Sequence, residues 1–293
     1  MRAGVLNVLK PAGATSFSVV AKLRALTQAK RVGHAGTLDP LATGVLPLLF
    51  ESATRLSEFA LRVPKTYEAD VHLGFRTATD DAESEPEPVA LADNVDADQV
   101  AAALSRFVGR IKQEPPAFSA VKVNGQRAYK RARHGDLSRP AARLVDVYAA
   151  DLMSFQQGGR PVARIRVTCG SGTYLRSLAR DLGDALGVGG YLGQLTRTAY
   201  GRLRVEDAVA LDDLADADAV QEHLLPPEVV LPEMEPVRLT GEQEAQVRQG
   251  RSVRVLPEPK PGPLRAHDDR GRLIALGHMD PLRRTFVPDK VLG

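Results

Sequence analysis

One carboxylate, Asp39, lies in a stretch that is otherwise free of acidic residues. It is the only aspartate or glutamate in residues 33–50, and its neighbours Leu38 and Leu41 are apolar. An acid in such surroundings either shapes a loop or serves as a nucleophile and base. The Asp-Pro dipeptide alone favours the loop role, since aspartate side chains often hydrogen-bond to their own backbone in turns. The chemistry therefore depends on what accompanies Asp39.

The segment around this carboxylate, residues 33–44, contains three glycines and a proline. Glycine lets the backbone approach a ligand or adopt a positive φ, and proline disfavours helix at the residue before it. We predict a fixed loop, followed by a buried strand over 44–50. The polar side chains that this loop would present are His34, Thr37, Asp39 and Thr43.

A second glycine-rich turn follows a predicted strand at residues 169–174 and opens a helix, which we expect a serine or threonine to cap. The free N–H groups of a helix start can bind anions, but this turn lacks the Gly-Lys-Ser/Thr ending of a nucleotide-binding P-loop. Arg176 falls in the first helical turn, where the helix dipole disfavours a cation. We therefore expect Arg176 to have a carboxylate partner.

Hydrophobic periodicity predicts the elements that position these loops. A short apolar strand over 4–9 leads through Lys10 into a turn and then a helix over 16–29, with Thr15 or Ser16 as the N-cap. Lys10 is open to three interpretations: a surface lysine, a phosphate contact or a support for the site. Residues 66–73 alternate as a half-buried strand, with Tyr67 on the apolar side as either a core residue or a ring that packs on a base.

Further along, periodicity predicts helices over 52–63 and 96–108 and a hairpin made by 143–155 and 161–168. A strand over 191–203 carries Leu195 and Arg197. Since hairpins argue against an all-parallel sheet, we predict an α+β fold with a mixed, largely antiparallel sheet. The acidic, proline-bearing stretch 77–92 is predicted to be a solvated, mobile loop. Because its carboxylates would repel phosphates, we expect it to lie away from any RNA-binding face.

Residues 115–140 form a basic segment, with a predicted Asn-Gly hairpin turn at Asn124 and an interleaved aromatic, Tyr129. Such a segment is either a surface that grips a polyanion or an ordinary exposed helix. Prolines over 226–236 indicate a linker, and 235–293 is predicted to be a small β-rich domain whose arginines suit either RNA or solubility. The basic side chains of the segment are Lys122, Arg127, Lys130, Arg131, Arg133, His134 and Arg139.

Length, charge and cysteine content limit the possible classes of protein. The chain has 293 residues, a length typical of about two domains, and a net charge of only +3. Its single cysteine, Cys169, excludes an internal disulfide and a cysteine-based zinc site and fits a reducing compartment. Because no signal-like or membrane-length apolar run is present, we expect a cytoplasmic protein.

Four segments, residues 10–16, 33–47, 65–74 and 172–176, together resemble the TruB family of bacterial tRNA pseudouridine-55 synthases. The resemblance implies a catalytic domain of pseudouridine-synthase type over 1–230, with an RNA-gripping insertion at about 115–140, and a PUA-like RNA-binding domain over 235–293. It also implies the activity: isomerisation of uridine to pseudouridine at position 55, in the TΨC loop of tRNA, after the base is flipped out.

The resemblance carries roles onto individual positions. Asp39 is the catalytic carboxylate and Arg176 pairs with it. Tyr67 stacks on the target uracil, while Tyr174 and Leu195 line the uridine pocket.

Two further positions have roles by the same resemblance: Lys10 supports the pocket, and His34 lies on the loop that helps to open the TΨC arm. The implied partner is tRNA, with no membrane and no obligate protein partner, and a monomer is expected. Uridine isomerisation oxidises nothing and takes no group from outside, so neither a cofactor nor a metal is expected.

Three alternatives stay open. A non-catalytic RNA-binding or RNA-folding protein would explain the basic segment but not the lone carboxylate. A phosphate- or nucleotide-binding enzyme could use the turn at 170–176, although the P-loop lysine is missing. A synthase that acts within guide-RNA complexes would share the motifs, and the compact single chain favours stand-alone action.

Overall fold

The structure is a computed structural model, and it describes residues 1–123, 125–132, 134–257, 259–260 and 262–292. Asn124 and Arg133 lie outside the described residues, as do the side chains of Lys122 and Arg127. The predicted turn at Asn124 and the part of the basic surface that these residues would supply are therefore not described.

The described strands are numbered in chain order. They are β1 (Gly4–Lys10), β2 (Val32–His34), β3 (Thr43–Phe50), β4 (Lys65–Leu73), β5 (Phe75–Arg76), β6 (Glu87–Pro88), β7 (Gly109–Gln113), β8 (Lys122–Val123), β9 (Gln126–Arg127), β10 (Arg143–Gln156), β11 (Val162–Cys169), β12 (Gly190–Tyr200), β13 (Leu203–Arg204), β14 (Val209–Ala210), β15 (Glu235–Arg238), β16 (Pro263–His267), β17 (Leu273–Asp280) and β18 (Thr285–Val291).

The described helices are numbered in the same way. They are α1 (Ser16–Thr27), α2 (Ser57–Ala60), α3 (Ala97–Ser105), α4 (Ala128–Ala132), α5 (Leu175–Ala185), α6 (Ala217–Glu222) and α7 (Gly241–Arg248), with 3₁₀ turns at Glu51–Leu56, Val205–Asp207 and Pro227–Val230. Within the described part of the chain, no helix is long and apolar enough to cross a membrane.

A ten-stranded mixed sheet holds most of the chain, with the main strand order β14-β1-β3-β12-β4-β11-β10-β7. Strands β1 and β14 pair in parallel, as do β3 and β12, and the other neighbours along this path are antiparallel. The mixed α+β class with a largely antiparallel sheet is therefore confirmed.

The apolar run in β3 is continuous because that strand is buried on both faces. Leu46 and Leu48 face the core under α1, α3 and α5, whereas Val45 and Leu49 face a smaller core formed with Tyr200. Burial on both sides fixes the register of β3 strongly, since a slip of one residue would exchange the two faces. The loop before β3, which contains Asp39, is thereby anchored at one end.

Residues 235–292 form a separate β-rich region with a four-stranded sheet in the order β15-β16-β17-β18. A small apolar cluster that includes Leu56, Leu231 and Leu276 packs it against the first region. The side chains of His267 and Glu228, with Nε2 and Oε1 3.0 Å apart, add a polar contact between the linker and β16.

The predicted small β-rich C-terminal region is confirmed, and it also contains helix α7, whose N-cap Thr240 forms a capping box with Gln243. One element prediction was wrong. The stretch 52–63 was predicted as one helix but forms a 3₁₀ turn followed by the single turn α2. Short helices carry weak periodicity, so neighbouring packing decides their form.

Gly44 is required by the close packing of β3 on β12. Its φ is +102°, and a Cβ placed there would lie 2.2 Å from the carbonyl oxygen of Arg197. No side chain fits in that space, so the two strands can approach only at a glycine.

Gly44→Ala is therefore expected to lower the free energy of unfolding by at least about 3 kcal/mol, from backbone strain plus overlap. Urea denaturation measures this. Gly13→Ala is the control, because Gly13 also has a positive φ, +80°, but nothing lies within 4 Å of its added Cβ; it should cost about 1 kcal/mol. Equal stability of the two variants would contradict the packing argument.

Candidate active site

The loop that carries Asp39 is held by the turn between β1 and α1. Ser16 Oγ accepts from Leu38 N at 2.9 Å and donates to Leu38 O at 3.1 Å. One residue beyond Asp39, the Pro40 carbonyl accepts from Gly13 N at 2.8 Å. The backbone on both sides of the carboxylate is thus bonded to residues 13–16, so the motif at 10–16 and the motif at 33–47 form one structural unit.

Lys10 completes this attachment and is fully buried. Its Nζ donates to the carbonyls of Pro11, Ala14 and Pro40 at 2.8, 2.6 and 3.2 Å. All three donors are used within the protein, which supports the site-support interpretation over the phosphate contact. Burial lowers the pKa of Lys10 to about 8, while Asp39 raises it and Arg197 lowers it.

Asp39 meets the arginine that the sequence analysis paired with it. Arg176 Nε lies 2.9 Å from Asp39 Oδ2; the arginine side chain is buried and the carboxylate is 34% exposed. A guanidinium next to a carboxylate favours its ionised form. The Asp39 carboxylate is therefore partly exposed: one side is open to solvent, and the other lies against the buried guanidinium of Arg176.

A second acid, Asp81, holds Arg176 from the other side, and the sequence analysis missed it. Asp81 is fully buried, with Oδ2 3.5 Å from Arg176 Nη1, and the same nitrogen donates to the Thr79 carbonyl at 3.3 Å. The prediction of a solvated loop over 77–92 was wrong at its start, where Asp80 and Asp81 are both buried. Acid-rich composition concealed them, because the carboxylates that follow are exposed.

Four strands meet in register beside this ion pair. Lys10 of β1 pairs with Gly44 of β3, Gly44 with Arg197 of β12, and Arg197 with Tyr67 of β4. The row places two buried cations and an aromatic ring across the sheet next to the loop with Asp39. None of these spacings is visible in the sequence, since the four residues come from four separate strands.

Arg197 is a buried residue that the sequence analysis mentioned without assigning a role. Its Nε donates to the Val45 carbonyl at 2.6 Å, and its Nη2 donates to the Gly36 carbonyl at 3.0 Å. It thus fastens the loop from the side opposite Lys10. An arginine on a predicted strand is a signal that sequence analysis could have used, because an arginine that is buried there almost always needs partners.

Tyr67 packs against the main core, half-buried. Burial raises the pKa of its phenol, the nearby Arg197 lowers it, and Asp39 raises it again. The tyrosine is therefore neutral at physiological pH and lies within electrostatic range of the carboxylate. Leu195, two residues before Arg197 on β12, belongs to the same core cluster.

Tyr174 is the N-cap of α5, two residues before Arg176, and makes no side-chain capping bond. The predicted serine or threonine cap is wrong: the Tyr174 backbone N–H donates to Gln113 Oε1 at 2.8 Å instead. The Tyr174 ring lies under the guanidinium of Arg143, with Cζ 5.2 Å from the ring centroid.

His34 ends β2, at the start of the loop. Burial lowers its pKa, and Arg197 lowers it further. The imidazole is therefore mostly uncharged at neutral pH and presents a flat ring rather than a cation.

The arrangement can present an ionised carboxylate to a bound molecule beside an aromatic ring. Buried basic side chains lie close by, namely Arg176, Lys10 and Arg197, and Lys65 is buried further along β4. Burial lowers the pKa of Lys65 to about 8. Among the described residues, no cluster of three or more histidine, cysteine or acidic side chains could hold a metal ion. Such a site suits nucleophilic attack by the carboxylate.

Comparison with known proteins defines the class. The family described as "TruB family pseudouridylate synthase (N terminal domain)" matches residues 24–175, and "tRNA pseudouridylate synthase B C-terminal domain" matches 176–233. The chain belongs to the TruB family of pseudouridylate synthases, and it is an isomerase. Both matches fall within the region built around the large sheet, since the second includes α5 and β12.

Curated relatives extend the match over nearly the whole chain. A tRNA pseudouridine synthase B from Thermobifida fusca is 45% identical over 281 residues, covering 94% of each protein. One of the same name from Gloeothece citriformis is 37% identical over 304 residues, covering 99% of this chain and 97% of the relative.

Among solved structures, a chain of an H/ACA RNP bound to a substrate RNA aligns with a TM-score of 0.73 at 25% identity, covering 99% of this chain and 85% of that one. A chain of a Cbf5-Nop10-Gar1 complex gives the same TM-score at 26% identity and the same coverage.

Lys10→Met is expected to slow single-turnover pseudouridine formation in tRNA about tenfold to a hundredfold. The substitution removes a hydrogen bond to the loop that contains Asp39, and small misplacements of catalytic groups are costly. A quenched time course with enzyme in excess measures the rate. Lys22→Met is the control, since Lys22 lies on the outer face of α1 with half of its side chain exposed. A wild-type rate in Lys10→Met would contradict the supporting role.

Proposed function

We propose that this protein converts uridine 55 in the TΨC loop of tRNA to pseudouridine, with Asp39 as the nucleophile and without a cofactor. The observation that carries the proposal is the contact of Asp39 with the buried Arg176, 2.9 Å apart, on a loop whose backbone is hydrogen-bonded to the side chains of Lys10 and Ser16. The names of the curated relatives support tRNA as the substrate.

The chemistry is an isomerisation within one nucleotide. The N1–C1′ bond breaks, the base rotates, the C5–C1′ bond forms, the C5 proton leaves and N1 gains a proton. The Asp39 carboxylate attacks one of two carbons. At C1′ of the sugar it displaces N1, and C5 then displaces the carboxylate when the C5–C1′ bond forms; at C6 of the ring it adds across the C5–C6 double bond and is eliminated again after the base has been reattached. A base removes the C5 proton in either case. Arg176 places a fixed and permanently charged guanidinium beside the carboxylate.

The uridine must first leave its stack in the RNA loop, which costs a few kcal/mol. Stacking on one aromatic side chain returns about 1–3 kcal/mol. We assign that contact to Tyr67, with Tyr174 and Leu195 as further walls of the pocket and His34 as a flat ring inserted near the opened arm. Since stacking only balances the cost of flipping, net affinity has to come from backbone contacts.

The basic insertion at 115–140 can supply those backbone contacts. A groove of about 910 Å³ lies on it, lined in part by Tyr129, Lys130, Arg131 and His134. Cations with an interleaved aromatic suit an RNA backbone. We assign residues 1–230 to catalysis and 235–293 to a PUA-like RNA-binding unit.

We further propose that the enzyme works as a cytoplasmic monomer without an obligate protein partner. The basis of this proposal is the compact single chain, which matches relatives named tRNA pseudouridine synthase B over 94–99% of its length. Similar chains in the Cbf5-Nop10-Gar1 complex belong to an assembly, and this is the alternative to test.

Asp39→Asn is expected to bind tRNA as the wild type does but to form pseudouridine at least about a thousandfold more slowly, because an amide is a poor nucleophile. Pseudouridine mapping of tRNA treated with each protein alone gives both position and extent. Modification at 55 by the wild type alone is the expected result. Modification elsewhere would refute the assigned position, and normal turnover by Asp39→Asn would remove Asp39 from the mechanism.

Tyr67→Phe is expected to keep most of the single-turnover rate at saturating enzyme, because the ring can still stack, whereas Tyr67→Ala should lose about 1–3 kcal/mol of transition-state stabilisation. Release of tritium from C5-labelled uridine in tRNA follows the reaction. If the alanine variant matches the phenylalanine variant, Tyr67 does not stack on the base.

A further inference from the structure

The basic insertion is attached to the helix that carries Arg176, and the attachment begins at its N-terminal root. Gln113 is buried, with its side chain accepting from Tyr174 N at 2.8 Å and donating to Tyr174 O at 3.1 Å. The Glu114 carbonyl accepts from Ser177 Oγ at 2.7 Å and from Arg180 Nη2 at 3.1 Å. This root is therefore bonded to the first two turns of α5.

The C-terminal root reaches the same helix through a buried acid. Arg139 Nη2 donates to Asp80 Oδ1 at 3.1 Å, and Arg180 Nη1 donates to Asp80 Oδ2 at 2.9 Å. The carboxylate of Asp80 is thus shared by a residue of the insertion and a residue of α5. Burial raises the pKa of Asp80, and the two arginines act against that rise.

Asp80 belongs to the short segment that holds the active-site arginine. The residues on either side of it, Thr79 and Asp81, are the ones that contact Arg176 Nη1, at 3.3 and 3.5 Å. Asp80 itself has a left-handed backbone, with φ of 60°. A non-glycine residue keeps that conformation only where its surroundings hold it. Bonds of the Asp80 backbone to Thr77 and Leu192 hold it here, together with the two arginines at its carboxylate.

Arg176 and Arg180 are four residues apart on α5 and so lie on the same face of the helix. The segment 79–81 packs against both, and Asp39 follows at the far side of Arg176. A continuous series of contacts runs from the insertion to the nucleophile. Only Arg139 of the Asp80 cluster belongs to the insertion, and its side chain is 34% exposed.

We propose that Arg139 is a positioning residue, whose contact with Asp80 sets the orientation of Arg176. The function of the contact is to align the nucleophile, in addition to any part that the insertion has in affinity. This inference rests on the proposed function, because the rate that it concerns is that of pseudouridine formation.

The test separates binding from the chemical step in the full-length protein. Arg139→Gln should slow single-turnover pseudouridine formation about tenfold even with enzyme saturating over a tRNA transcript, a coupling of ordinary size. Arg139→Lys keeps a cation within reach of Asp80 and should return the rate to within about threefold of the wild type. Filter binding gives the tRNA affinity of each variant, and thermal denaturation gives its stability.

Arg76→Gln is the matched control. Arg76 lies three residues before the same segment and pairs with Asp184 at the other end of α5, with both side chains substantially exposed. The substitution removes an equal charge and also breaks an ion pair to α5, but it leaves Asp80 untouched. Its rate at saturation should equal that of the wild type.

Each outcome decides the matter. A slow Arg139→Gln variant with normal melting temperature, together with rescue by lysine and a normal control, supports the positioning role. A wild-type rate at saturation for Arg139→Gln overturns it, as does a lysine variant as slow as the glutamine variant, or a loss of stability that accounts for the slow rate. A wild-type protein inactive on this tRNA would instead refute the proposed function.

Discussion

A buried guanidinium needs negative partners, and the arrangement around Arg176 follows from that need. Taking a cation out of water is costly unless opposite charge and hydrogen-bond acceptors surround it. Here Asp81 and the Thr79 carbonyl hold one part of the guanidinium, and Asp39 holds another. Because Asp81 is fully buried and lies 3.5 Å from the guanidinium, Arg176 has an anionic partner besides Asp39. The fixed pair of Arg176 and Asp81 thus lies directly beside the carboxylate of Asp39.

The surrounding fold serves to keep that carboxylate in one place. Lys10 and Arg197 both donate hydrogen bonds to backbone carbonyls of the loop and are buried, and each lies on a different strand. These hydrogen bonds make the loop with Asp39 rigid, and they also place basic side chains next to it. Precise placement of reacting groups contributes strongly to catalysis, which explains why so many bonds are made to a loop of a few residues.

The same helix also connects the active-site loop with the basic insertion. Helix α5 carries Arg176 on its first turn, and it is bonded to the N-terminal root of the insertion directly, through Glu114, and to the C-terminal root through Asp80. An enzyme that must bind a large folded RNA before acting on one nucleotide benefits when contact with the RNA and order in the active site are mechanically connected. Family membership accounts for the chemistry, while this connection is a property seen only in the arrangement of side chains.

The sequence by itself determined the loop with Asp39, the expectation of an acid partner for Arg176 and the mixed sheet, because glycine, proline and apolar alternation act locally. Only the tertiary structure decided that Asp81 is buried and that Lys10 and Arg197 lie in one row across β1 and β12. Composition made residues 77–92 look solvated, since burial of an acid depends on arginines nearly 100 residues away. Strand register and long-range charge pairing are set by the whole fold, and no local pattern contains them.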